Sequence, residues 1–196
     1  MRHHLIALAL LSACSSGEPF ADRVVSFTPG PSAGFGQQWM PTVVLGPPQG
    51  AGDASGSFDV LSLGQGGSIV LEFIDYIVVD EPGPDFIVFE NTFVGWREYG
   101  EVEVSADGQT WHSFGCAHSG EDRTGCAGHN PVYSHPDNDI DPTDPSISGG
   151  DPFDLAELGV DVARFVRITD AEVNSYEGVS GGFDLDALAI VNGDVE

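Results

Sequence analysis

Lysine is missing from the chain altogether, and the six basic residues, all arginine, stand against 31 acids for a formal charge of −25. A field of that sign repels nucleic acid and anionic membrane surfaces and draws cations in, although solubility or a saline habitat accounts for the same balance. Long apolar runs are missing too. The one candidate, Leu5 to Leu11, is far shorter than the roughly 20 residues a bilayer crossing needs. No G-x-S-x-G, H-E-x-x-H or P-loop motif occurs, so the sequence reads as that of a non-enzyme. Only a carboxylate pair of the glycosidase kind is left open, because the separation that matters there is spatial. Cysteine is scarce, at three residues.

The first of those cysteines follows an export signal. A short n-region with Arg2, His3 and His4 precedes the apolar run, and Leu11-Ser12-Ala13-Cys14 resembles the lipobox of bacterial lipoproteins. That resemblance implies cleavage before Cys14 and lipidation of it. Residues 1–13 are then the signal peptide, 14–21 a polar tether, and 22–196 a single domain. The protein would be exported and lipid-anchored to a bacterial cell envelope, at the outer membrane or cell surface, meeting membrane only through its anchor. Cys116 and Cys126 remain, ten positions apart, and in an exported protein such a pair reads as a disulfide. Zinc is the alternative, with His118, His129 and His135 close by.

Glycine and proline, 26 and 13 in number, punctuate short runs of β-forming residues from "RVVSF" and "PTVVL" to "RFVRI" and "ALAIV". The pattern predicts an all-β, jelly-roll-like β-sandwich. In "GEVEVSADGQTWHSF" Val102 and Val104 alternate with Glu101 and Glu103, and Asp107-Gly108 supplies a hairpin turn. One short helix is expected in "GGDPFDLAELG", with Asp151 as N-cap, Pro152 at N1, Asp154 in the first turn and Gly159 as the stop.

"VEVSADGQTWHSF", followed later by "VARFVRITD", resembles the paired signature of discoidin-type, galactose-binding-like β-sandwiches, and "FDVLSLGQGGSIVLEF" is similar to their early strand pair. "GPDFIVFEN", "GGDPFDL" and "GFDLDALAIVNG" together resemble a group of bacterial cell-surface proteins. The first resemblance implies a structural calcium near an end of the domain. "GFDLDA" looks like the closing strand of those sandwiches, which carries Asp184 and Asp186, with Glu90, over as calcium ligands. The residues lean the same way, since carboxylates beside apolar strands are costly unless paired, hydrogen-bonded or bound to a cation. Calcium takes oxygens of this kind.

A second acidic run, "DNDIDPTD", offers Asp137, Asp139 and Asp141 for a loop calcium, against a solvated loop. Pro142 and Ser148 stand where an EF-hand needs its glycine and glutamate, so it is not an EF-hand. For ligand binding, Trp96, Arg97 and Tyr99 in "VGWREYG", and Trp39, sit in loop-like sequence where aromatics can serve as a platform. The reading is a non-catalytic, calcium-stabilised binding module of the cell envelope, with a glycan or envelope polysaccharide as ligand. Its rivals are a structural or assembly protein of the cell surface and a polysaccharide hydrolase.

Overall fold

A computed structural model describes residues 17–117, 123–171 and 178–195, so that Cys14 and His118 lie outside the described residues. The chain is all-β and folds as a β-sandwich. One sheet runs in the order β1 (Arg23–Thr28), β3 (Ser68–Glu72), β11 (Phe165–Asp170), β6 (Gly100–Ser105) and β7 (His112–Ser113), with β8 (Cys126–Ala127) also on β6. A second sheet has the order β2 (Leu61–Ser62), β12 (Asp184–Ile190), β5 (Phe86–Glu90), β9 (Asp151–Phe153). A small third sheet places β4 (Tyr76–Val79) between β10 (Val162–Ala163) and β13 (Gly193–Val195). All these pairings are antiparallel.

The period-two alternation decides the packing. Ile69 and Leu71 of β3, Val102 and Val104 of β6, and Val166 and Ile168 of β11 share one buried cluster with Phe86, Val88, Leu185 and Leu188 of the second sheet. The other face of β5 and β12 is buried as well, through Ile87, Phe89, Ala187 and Ala189 under Phe20 and Val132. Strands covered on both sides read as near-continuous apolar runs, which is why "DFIVF" and "ALAIV" show little polarity. Burying each of their large side chains contributes about 1.5–3 kcal/mol. The hairpin forms as expected, with Val104 opposite His112 and Glu103 opposite Ser113.

Three expectations are corrected. Residues 19–21 are not tether: Phe20 is buried and bridges to Ala189, and the Ile190 N–H donates to the Pro19 carbonyl at 2.7 Å. "PTVVL" is a 3-10 turn, Thr42–Val44, and not a strand. In "GGDPFDLAELG" the expected helix shrinks to a 3-10 turn, Leu155–Glu157, capped by Asp154, whose carboxylate accepts from the Ala156 N–H. Asp151 is no cap, because Asp151–Phe153 forms β9 on the edge of β5. Proline at position 152 suits an edge strand, where it need not donate.

Candidate functional site

Where β5 ends and β12 begins, the sheet buries carboxylates instead of hydrocarbon. Leu185 stands opposite Glu90, and the register slips between Leu185 and Ala187, so that Asp186 lies in a bulge. Glu90 is 1 % exposed, Asp186 3 % and Asp184 6 %. Glu90, although the last residue of its strand, therefore does not face solvent. Asp184 accepts from the Ser62 hydroxyl and the Asn91 amide. Thr92 donates its hydroxyl to Glu90, and Asp186 receives the Gln49 backbone N–H.

Those bonds do not balance the cost of burial. Burial pushes the Glu90 carboxyl well above its ordinary range against the Thr92 bond, and Asp184, Glu98 and Asp151 push it further. Burial likewise raises Asp184 to about 6, offset in part by Ser62 and Asn91. Asp186 is raised well up by burial, opposed by Gln49 and reinforced by Asp59. Such groups at neutral pH hold a proton or need a counter-charge, and the charges acting on Glu90 are of its own sign.

Two further features meet here. The Oδ1 atom of Asn91 is buried with no hydrogen-bond partner. A cavity of about 10 Å³ is lined by Glu90, Asn91, Thr92, Asp186 and Ser55, close to the roughly 10–15 Å³ that one water-sized occupant requires. Gly56 closes it from the side, where a Cβ would stand 2.3 Å from Asn91 Oδ1. An all-oxygen set of carboxylates with an orphaned amide oxygen fits calcium. Glu90, Asp186 and Asn91 line that cavity and would hold the ion, which would supply the missing positive charge, while Asp184 stands next to them through its bond from Asn91. Among the described residues the carboxylates of Glu90, Asp184 and Asp186 do not bring one oxygen each within 4.8 Å of one another.

The other sequence candidates are dispersed. Asp137, Asp139 and Asp141 are exposed, and Asp141 accepts from the backbone N–H and hydroxyl of Thr143, as Asp144 does from Ser146, in a loop that caps itself. Trp96 is 44 % exposed and Arg97 is exposed beside it, but Tyr99 is buried. Its ring packs on His129 at 4.9 Å, with Arg123 over its face, in a cluster with Cys116 and Cys126. Tyr99 therefore leaves the proposed platform. The two cysteines form a disulfide, which overturns the zinc alternative. His129 instead places Nε2 2.9 Å from the Arg123 carbonyl.

Sequence reasoning did not bring together a trio near the start of β5, at the other end of that strand from Glu90. Asp80, Asp85 and Asp154 bring one carboxylate oxygen each within 4.8 Å of one another. Asp85 already accepts from the Glu81 and Leu155 N–H groups and the Asn192 amide, so hydrogen bonds account for it. Asn91 belongs to the same sequence motif as Glu90, but its amide oxygen was not put forward as a ligand atom. Its position directly after Glu90 was the available signal.

No family model matches the chain, and no curated protein does. Among solved structures, the C-terminal domain of a chitobiase from Bacteroides fragilis is similar at 11% identity and a TM-score of 0.33, over 66% of this chain and 64% of that one. The chain thus spans less than two thirds of that structure, and a likeness at this level bears on neither ligand nor mechanism. The discoidin-type assignment stays a resemblance of motifs.

Proposed function

We propose that the protein is a non-catalytic binding module of a bacterial cell envelope, in which a calcium ion at Glu90, Asn91 and Asp186 orders a loop that grips a glycan. The observation that carries this reading is the loop from Asn91 to Tyr99. Both its ends are rooted in buried acids, Glu90 at 1 % and Glu98 at 4 % exposure, while its tip offers Val94 and Trp96 at 74 % and 44 %. Phe93 and Trp96 exchange backbone hydrogen bonds at 3.3 and 2.9 Å, which tightens that tip. A counter-ion at the root would fix the tip, and the indole would stack on the apolar face of a sugar ring. Export rests on the lipobox, with Cys14 as the lipidated residue.

A glycan array probed with wild type in calcium, wild type in chelator, and Trp96→Ala tests the reading. Binding by wild type in calcium alone, with an unchanged melting temperature for Trp96→Ala, is the expected result. Binding that survives both changes removes the loop from the site. No binding at all favours a structural or assembly role, and reducing ends released from an envelope polysaccharide favour a hydrolase. Fatty-acid labelling that disappears in Cys14→Ala tests the anchor.

A further inference from the structure

Phe58 is 84 % exposed and Trp39 48 % exposed, and together they line a depression of about 360 Å³ with Thr42, Val43 and Asp59. Large aromatics held this far out in water invite a partner. Neither is a loose end. Trp39 closes the 3-10 turn Gln37–Trp39, its ring lies edge-on to Phe35 at 6.2 Å, and the Thr42 hydroxyl donates to its carbonyl at 2.8 Å. Val43 and Val44 then enter the core. Phe58 is followed by Asp59, whose backbone N–H donates to the Ser57 hydroxyl at 3.0 Å, and by Val60 and Leu61, which are buried. The core thus anchors the chain shortly after each ring.

Charge narrows the occupant. The five lining residues include one carboxylate, Asp59, and no base, on a chain of formal charge −25. Anionic sugars are repelled by that field, and a cation is drawn to the carboxylate and to the faces of the rings. The volume lies near the lower end of the roughly 300–1,000 Å³ of small-ligand sites. We propose that the Trp39–Phe58 cleft binds an amino sugar with its amine free, the pyranose ring stacked on the aromatics and the ammonium paired with Asp59. This rests on the glycan reading above for its ligand class, but assigns a different surface from the Trp96 loop.

Isothermal calorimetry on the full chain with a glucosamine trisaccharide, its N-acetylated counterpart and a glucose trisaccharide tests the assignment, because the three share the pyranose ring and differ in the amine. The glucosamine oligomer should bind about tenfold more tightly than the other two at low ionic strength. Asp59→Asn should abolish that preference, and Trp39→Ala or Phe58→Ala should abolish binding with an unchanged circular dichroism spectrum. Phe58→Ala keeps the test decisive if Trp39→Ala unfolds, because its side chain is exposed. Equal affinity for the three oligomers, no binding of the amine form, or wild-type affinity in Phe58→Ala overturns the assignment, the last by reducing the attraction to that of net charge. Failure here with Trp96-dependent binding of another glycan leaves the module reading standing.

Discussion

The backbone N–H of Gln49 lies 3.1 and 2.9 Å from the two carboxylate oxygens of Asp186, and the side-chain amide of the same residue donates to Asp59. One residue thus joins the buried acids at the start of β12 to the carboxylate in the aromatic cleft. Neutralising Asp186 with a cation relieves the charge that Asp59 exerts on it. The two surfaces are therefore connected through a single hydrogen-bonded bridge.

Calcium should stabilise the fold. If it binds the native state alone, saturation to about 100 times its Kd adds about 2.7 kcal/mol, which for a domain of this size is a midpoint shift of about 5–10 °C. Asp186→Asn should remove most of that shift, and Asp139→Asn, in the self-capped exposed loop, should remove little. Magnesium should substitute poorly, since it demands tight octahedral geometry. Scanning calorimetry in calcium and in chelator measures this, and identical wild-type midpoints would sink the cation site.

Stability should fall as pH rises through the mildly acidic range. Burial lifts Asp151 from 3.8 to about 6, against hydrogen bonds from Gly128, His129 and Asn130 and the nearby His129 charge, and Glu90 lies within range of it. Below about pH 4 the carboxyl is protonated folded and unfolded alike, so its full stability is present there. Between about pH 4 and pH 6 the unfolded chain releases its proton first and gains relative to the fold, to a total of about 3 kcal/mol. Urea denaturation of Asp151→Asn across this window should show a flatter profile than wild type, and parallel profiles count against the assignment.

What the sequence revealed follows from the range of the physics involved. Alternation and turn residues are local, and they located β3, β5, β6, β11 and β12. Cys116 and Cys126 paired as their spacing suggested. Glu90, Asp184 and Asp186 stood out because acids beside apolar strands need compensation, and all three are buried. The misses depend on distant contacts. "DPFDL" carries ordinary cap signals, yet Asp151 lies opposite Val88 because β5 had an open edge to fill. Tyr99 shares a loop with Trp96, but only the fold brings His129 and the disulfide onto its ring.

The two acids of "GGDPFDL" should now behave in the reverse order to that expected of helix caps. Asp154→Ala loses one N-cap bond to Ala156, worth about 1 kcal/mol. Asp151→Ala leaves the buried Gly128 N–H without its acceptor, a loss of about 1–3 kcal/mol, and removes the part-buried bonds from the His129 N–H and the Asn130 amide as well. Chemical denaturation at neutral pH should therefore rank Asp151→Ala as the more damaging change. Equal losses would mean that water satisfies the three donors in place of the carboxylate.

The disulfide should act on one corner of the fold. Cys126 lies in β8, where Glu101 pairs with Cys126 and Gly100 with Ala127, and Cys116 lies just beyond β7, which pairs farther along the same edge of β6, the other edge being taken by β11. Closing a loop of this length removes chain entropy worth about 3 kcal/mol from the unfolded state. The pair also caps Tyr99, whose backbone carbonyl accepts from Ala171 at 2.8 Å. Replacing both cysteines with serine should lower the unfolding free energy by about that amount. Amide exchange should rise first at Ala127 and Gly128, while the protection of Val88 and Leu188 in the second sheet falls only with global stability. Reductant added to the wild type should reproduce the variant's midpoint. If the midpoint stays where it was, the packing of Tyr99 against His129 holds this corner without the covalent bond.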